Sequence, residues 1–271
     1  MDNQLITSYF LAILVGITLG LIGSGGSILT VPIMVYVVGL NPVLAGAYSL
    51  FVVGFSALIG GFKKLKEKLV DFKLVLFFGI PAVISVFITR FYIVSIIPEI
   101  IFQNQTFILS KSLFLMILFG IIMIGAAIMM IKPVKTEHNN DNLIKQNTIL
   151  IILLGIVIGF LAGLVGAGGG FLIIPALVII AKIPMKTAIG TSLFIVAIQS
   201  LTGFLGDYLS GTKLDWPFLL TFTSFAVGGI FIGDHLSKKI DGAKLKTSFG
   251  WFVLIMGFYI VLKEIFFKSK N

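Results

Sequence analysis

The chain has 271 residues, 58% of them hydrophobic and only 11% charged, with a mean hydropathy of +1.13 and a formal net charge of +9. Soluble domains are about a quarter charged, so this much apolar surface cannot be kept from water by folding alone, and lipid is the expected solvent. Cysteine is absent, which excludes disulfides, thiolate metal sites and cysteine nucleophiles. The two histidines, His138 and His235, are too few and too separated for a histidine-built metal cluster, so neither a metal nor a cofactor is expected. Without a soluble basic domain the positive charge does not point to nucleic acid; lysines in the loops of a membrane protein set its orientation instead.

In chain order, apolar segments run over 5–22, 28–40, 43–62, 70–97 and 112–131, then over 147–165, 171–183, 186–206, 216–236 and 247–267. The start, Met1-Asp2-Asn3-Gln4, lacks the positive region of a signal peptide, so the first segment is expected to be a retained span. A spanning helix needs about 20 apolar residues. The segments 28–40 and 171–183 fall short, and each follows a glycine-rich break, Gly23-Ser24-Gly25-Gly26-Ser27 or Gly166-Ala167-Gly168-Gly169-Gly170. Whether these short segments are re-entrant or spanning stays open. The stretch from Glu99 to Ser110 reads as an interfacial helix or a loop.

The two series are copies. At an offset of 143 residues, Gly16, Gly20, Gly23, Gly25 and Gly26 fall on Gly159, Gly163, Gly166, Gly168 and Gly169, Pro32 falls on Pro175, and Ser49-Leu50-Phe51 falls on Ser192-Leu193-Phe194. Between 13 and 60 there are 17 identities in 48 ungapped positions, which marks an internal duplication. If each short segment forms a hairpin with the helix before it, three full crossings follow in each half. One side of the membrane then carries 14 lysines and the other 5, so the first is cytoplasmic and both termini lie outside. An odd number of crossings inverts the second half. The expected fold is therefore an all-α polytopic membrane protein of two inverted repeats, each with a glycine-rich broken or re-entrant hairpin and about three full spans. The first repeat covers 1–131, a cytoplasmic linker 132–146 and the second repeat 147–271.

Glycine inside an apolar helix costs up to about 1 kcal/mol against alanine, so clusters of it have a purpose. Gly16-x-x-x-Gly20 and Gly159-x-x-x-Gly163 fit close helix packing. Gly23, Ser24, Gly25, Gly26 and Ser27, with Gly166, Gly168, Gly169 and Gly170, instead fit two broken helices whose half-helix N-termini offer unpaired N–H groups to an anion. Such backbone survives at membrane depth only where it lines a cavity or is buried in protein. Ser49, Thr191 and Ser192, early in the helices after the breaks, either donate to a substrate oxygen or bond back to their own helix. Gln199, opposite Ser56 in the repeat, is a substrate contact or a link between helices. Arg90 and Asp234 are equivalents at an offset of 144 and are either candidates for gating or for coupling to a proton or ion, with Arg90 near the outer mouth and Asp234 on the inner side, or charges that snorkel at helix ends; Asp207 and Asp215 flank an outer loop and read as solvated.

The run Gly163-Leu164-Val165-Gly166-Ala167-Gly168-Gly169-Gly170-Phe171-Leu172-Ile173-Ile174-Pro175, followed by Ala188-Ile189-Gly190-Thr191-Ser192, resembles the signature of the TauE/SafE family of sulfite and organosulfonate permeases. The first half resembles it through Gly23-Ser24-Gly25-Gly26 and Pro32, and departs from it at Ser27 and at Ala47-Tyr48-Ser49. The resemblance implies a multi-pass cell-membrane transporter that moves sulfite, thiosulfate or an organosulfonate by alternating access. A passive anion channel is the alternative. An intramembrane enzyme would need a Ser–His or paired-Asp dyad at depth, and none is evident. The sequence leaves the oligomeric state open.

Overall fold

The computed structural model describes residues 3–104, 107–131 and 148–267. The expected linker 132–146 lies outside the described residues. The first half comprises α1 (Asn3–Ile22), a 3-10 turn over Ser24–Gly26, α2 (Ser27–Tyr36), α3 (Pro42–Lys66), α4 (Phe72–Ile96) and α5 (Lys111–Ile131). The second comprises α6 (Thr148–Val165), α7 (Gly170–Ile180), α8 (Met185–Leu209), α9 (Trp216–Ser237) and α10 (Gly242–Phe267). Among the described residues, seven helices are long and apolar enough to cross a membrane: α3 to α6, α8, α9 and Thr247–Phe266 of α10. Their outer faces carry exposed side chains such as Phe62, Ile149, Ile255 and Phe266. Water would disfavour this surface and lipid accepts it. The chain is thus a multi-pass helical membrane protein.

Several helix boundaries follow from local chemistry. Asn41 caps α3 by accepting the Leu44 N–H at 2.9 Å, with Pro42 at the first helical position, where its missing N–H costs nothing. Asp71 and Asp215 cap α4 and α9 in the same way. α4 widens into π turns at Val75–Gly79 and Thr89–Ile93. Pro81 lacks an N–H and its ring crowds the Phe77 carbonyl, a misfit that the first π turn takes up. The 99–110 stretch is neither a helix nor an irregular loop. It is a β-hairpin, β1 (Ile100–Asn104) antiparallel to β2 (Phe107–Ser110), as its isoleucines and phenylalanines favour.

The contacts of one half recur in the other. α1 lies parallel to α9, and α6 lies parallel to α4. A methyl group placed on Gly16 would be 1.9 Å from the Ala226 carbonyl oxygen, and one on the equivalent Gly159 would be 2.5 Å from that of Ala82. These glycines let backbones touch, which confirms the packing purpose read for them. The equivalent helices α3 and α8 run antiparallel to each other, with Phe51 stacked near Phe204 (centroids 4.9 Å), Gly54 against Leu201 and Gly61 against Phe194. That register brings Ser56 opposite Gln199, the residue that the 143-residue offset also matches to it. The pair therefore sits on a pseudo-two-fold axis. A further pair of bonds obeys the same axis: the Asp71 N–H donates to Thr191 Oγ1 at 2.9 Å, and the Asp215 N–H donates to Tyr48 Oη at 2.6 Å.

Leucine at Gly16 or Gly229 would drive a side chain into the facing backbone of the α1–α9 contact, since a methyl on Gly229 already meets the Ile13 carbonyl oxygen at 2.2 Å. Such overpacking costs about 1–3 kcal/mol or more. The expected outcome is a clear fall in the melting temperature of the purified protein, whereas Gly125→Ala, with no atom within 4 Å of the added methyl, leaves it unchanged.

Candidate functional site

Both helix breaks use backbone that only glycine adopts freely. Gly23 has φ +75°, and Gly166, Gly168 and Gly169 have φ +73°, +67° and +64°. Gly25 and Gly26 do not: Gly26 is right-handed, and Gly25 makes room for the ring of Phe249, 2.5 Å from where its Cβ would be. The first break therefore depends on glycine conformation at one residue and the second at three. The two breaks meet, the Ser24–Gly26 turn packing against the start of α7. Ser27 is buried at the start of α2 and Gly170 at the start of α7. The side chain of Ser24 lies outside the described residues.

Around the pseudo-two-fold axis the middle of the α3–α8 pair is polar. Ser49, Ser56, Gln199 and Ser200 are wholly buried, and Ser49 Oγ, Ser56 Oγ, Gln199 Oε1 and Ser200 Oγ have no hydrogen-bond partner. A buried polar atom without a partner costs about 1–3 kcal/mol, so four of them on one helix pair make it the candidate site. The second glycine turn borders them. Gln199 Nε2 donates to the Gly168 carbonyl at 3.4 Å, and a methyl on Gly168 would lie 2.5 Å from Ser200 Oγ. The other two hydroxyls are engaged: Ser192 Oγ donates to its own helix at the Ile189 carbonyl (3.0 Å), and Thr191 Oγ1 takes the Asp71 N–H.

Two buried ion pairs flank this region. Arg90, 1% exposed, sits in the second π turn of α4, and its Nε donates to Asp207 Oδ1 and Oδ2 at 2.8 and 2.9 Å while Nη2 also bonds the carboxylate. Its remaining donors reach the carbonyls of Gly163 (3.4 Å) and Val43 (3.3 Å). Asp207 is 5% exposed, so the solvated position read from the sequence is incorrect; its helix turns it inward, where the Arg90 fork meets it. At the other end Asp234 pairs with Lys64 and, at 2.6 Å, with Lys63. Lys64 is the repeat equivalent of Asp207, as Asp234 is of Arg90. The two pairs are thus one contact repeated by the pseudo-two-fold axis with its charges exchanged. Arg90 and Asp234 are not near each other; each caps the opposite end.

The ends differ in closure. At the Arg90 end, Gly166 and Gly46 lie so close that a methyl on either would be 3.1–3.2 Å from Arg90 Nη1, and the guanidinium fills the space. At the Lys64 end Gly46 is replaced by its equivalent Ile189, whose carbonyl would be 3.0 Å from a methyl on Gly23, and a cavity of about 380 Å³ opens beside Lys64, Lys186, Ile189 and Lys238. Lys64, Ser56, Ser200 and Asp207 escaped the sequence reading as site residues. The signal for Lys64 and Asp207 was present, because the 143-residue offset pairs them.

These features define a multi-pass membrane protein with two broken helices around a polar centre and a charged closure at each end. The chain belongs to the TauE/SafE sulfite exporter family, whose sequence profile matches residues 8–260. It is 28% identical to a probable membrane transporter protein of Methanocaldococcus jannaschii, covering 93% of this chain and 95% of the relative. A probable membrane transporter protein of Xylella fastidiosa is 28% identical over 93% and 92% of the two chains, and YunE of Bacillus subtilis, also a probable membrane transporter protein, is 25% identical over 96% and 99%. No solved structure gives a significant match. The family is one of membrane transporters.

Removing one member of a buried ion pair leaves the other uncompensated, at about 3–5 kcal/mol. Asp207→Ala and Arg90→Leu are each expected to lower thermal stability sharply, and the double variant Arg90→Leu/Asp207→Leu to recover most of the loss. Additive losses in a double-mutant cycle of melting temperatures would show that the pair is not coupled.

Proposed function

We propose that this chain is a secondary transporter that carries a small sulfur-containing anion (sulfite, thiosulfate or an organosulfonate) across the cytoplasmic membrane by alternating access. The observation that carries the reading is the set of unpartnered buried groups Gln199 and Ser200 beside the Gly168 turn, Ser56 opposite Gln199 and Ser49 two turns along α3, between two charged closures. Serine hydroxyls suit sulfur-bound oxygens, as does the Gln199 N–H that is not given to Gly168, and the start of α7 adds the positive end of a helix dipole. The antiparallel run of α3 against α8 supports inverted repeats, and the lysine bias supports a cytoplasmic Lys64 end with both termini outside. Arg90–Asp207 then closes the outer mouth and Lys64–Asp234 the inner one. Because the two contacts are equivalents, exchanging the conformations of the halves opens one as it closes the other. A proton on Asp234 would release Lys63 and Lys64, which gives coupling a route. Closure at the Arg90 end disfavours a passive pore.

The test is uptake of sulfur-35-labelled thiosulfate and sulfite by proteoliposomes. Accumulation against the anion's own gradient is expected when an ion gradient is imposed, and flux that only ever runs downhill would favour a channel. Gln199→Leu, and Ser56→Ala combined with Ser200→Ala, are each expected to cut flux about tenfold or more at unchanged melting temperature, the scale of one or two lost hydrogen bonds. Wild-type flux in both would remove the axis cluster from the transport path.

A further inference from the structure

Beside the inner closure, Glu67 does what neither closure requires. It caps the C-terminus of α3, one residue beyond the helix, and lies on the wall of the 380 Å³ cavity. Its two carboxylate oxygens are divided between two lysines from different helix ends. Oε1 takes Lys238 Nζ at 2.6 Å and Oε2 takes Lys64 Nζ at 3.0 Å. Burial alone would raise the Glu67 carboxyl, but the hydrogen bonds from Lys238 and Lys64 outweigh it and hold it below its ordinary value. It is therefore a resident anion. Of the side chains that line the cavity or bond directly to one that does, the cations are Lys64, Lys186 and Lys238, and the carboxylates seen to pair with them are Asp234 and Glu67. With Glu67 in place one positive charge is in surplus and with Glu67 displaced there are two, and the ammonium of Lys186 makes none of these ion pairs.

We propose that this cavity is a docking site for a small dianionic oxyanion, and that Glu67 is a tethered stand-in that the arriving anion displaces from Lys64 and Lys238. The inference rests on the transporter reading for its purpose but not for its chemistry. A dianion balances the two charges uncovered when Glu67 leaves, and two of its oxygens can bridge Lys64 and Lys238 as the Glu67 carboxylate does. The volume lies at the small end of ligand pockets, about 300–1,000 Å³, which suits an oxyanion with a few waters. The choice of cation favours exchange. Lysine is a point charge on a flexible stem, and a partly exposed pair such as Lys238–Glu67 is weak. At the opposite end the rigid fork of Arg90 grips both oxygens of Asp207, the arrangement for a contact that is to stay shut. The cavity wall borders the first helix break, because Ile189 abuts the Gly23 turn through its carbonyl.

The experiment is calorimetric titration of the purified full chain with thiosulfate at low ionic strength, with methanesulfonate as a monoanion of similar chemistry. Glu67→Gln is expected to tighten thiosulfate binding about tenfold, Glu67→Asp to keep it near wild type and Lys238→Gln to weaken it. Methanesulfonate is expected to bind more weakly than thiosulfate and to gain less from Glu67→Gln. Melting temperatures establish that each variant is folded. Unchanged or weaker thiosulfate binding in folded Glu67→Gln overturns the proposal, as does absence of binding in both wild type and variant. Repeating the titration in nanodiscs with anionic lipid identifies the occupant: retained affinity supports a free oxyanion, and its abolition there assigns the lysines to lipid headgroups and overturns the proposal. Proteoliposome flux is a separate readout. Tightening without any flux spares the docking site and sinks the transporter reading, and flux with unaltered affinity in Glu67→Gln does the reverse.

Discussion

Each helix break in this protein must be closed by other parts of the chain, because hydrocarbon offers backbone groups no hydrogen bonds. That constraint organises the rest. The breaks at Gly23 and at Gly166 to Gly169 are tolerable only within a shell of helices, and the shell can close only if those helices approach to backbone contact. Gly16, Gly20, Gly159 and Gly163 permit the approach, each meeting the backbone or the β-carbon of the opposite half's fourth helix. The packing glycines and the turn glycines thus form one device: the first set makes room for the second to leave helical geometry without exposure to lipid.

Duplication supplies this device twice, and the two-fold relation between the copies explains why the polar groups gather where they do. Residues on a two-fold axis meet their own equivalents. Ser56 and Gln199 do so at the crossing of α3 and α8, with Ser200 next in line. Had the two copies remained identical, serine would face serine. The change to Gln199 lets one side chain reach the Gly168 carbonyl and turns the contact into an asymmetric, partly unsatisfied cluster.

The ion pairs diverge in another way. If both halves had kept arginine on the fourth helix, each end would need a carboxylate on the third. Instead one end has Arg90 with Asp207 and the other has Asp234 with Lys64. Exchanging the charges keeps an ion pair at both contacts while making them unequal in strength. The guanidinium end is sealed and the lysine end has a cavity. Two halves of similar backbone thus have one end filled by a side chain and the other opening to a cavity.

Much of this was determined by sequence alone. Spans, breaks, the duplication and the packing glycines depend on hydropathy and local spacing, and α3, α5, α8 and α9 fall where the apolar segments place them. The β-hairpin over 100–110 was missed because a short apolar stretch is ambiguous in period. The partners of the charged residues were decided only by tertiary structure. An offset identifies which residues are equivalent, and equivalence is not contact. Arg90 and Asp234 are equivalents that occupy opposite ends, and each finds its partner on the third helix of the other half. Asp207 looked solvated because it lies near a helix end and a loop, and linear position cannot say which face of α8 turns inward. The same reason hid Glu67, whose function rests on Lys64 and Lys238 arriving from two different helix ends, a meeting that exists only once the halves have packed.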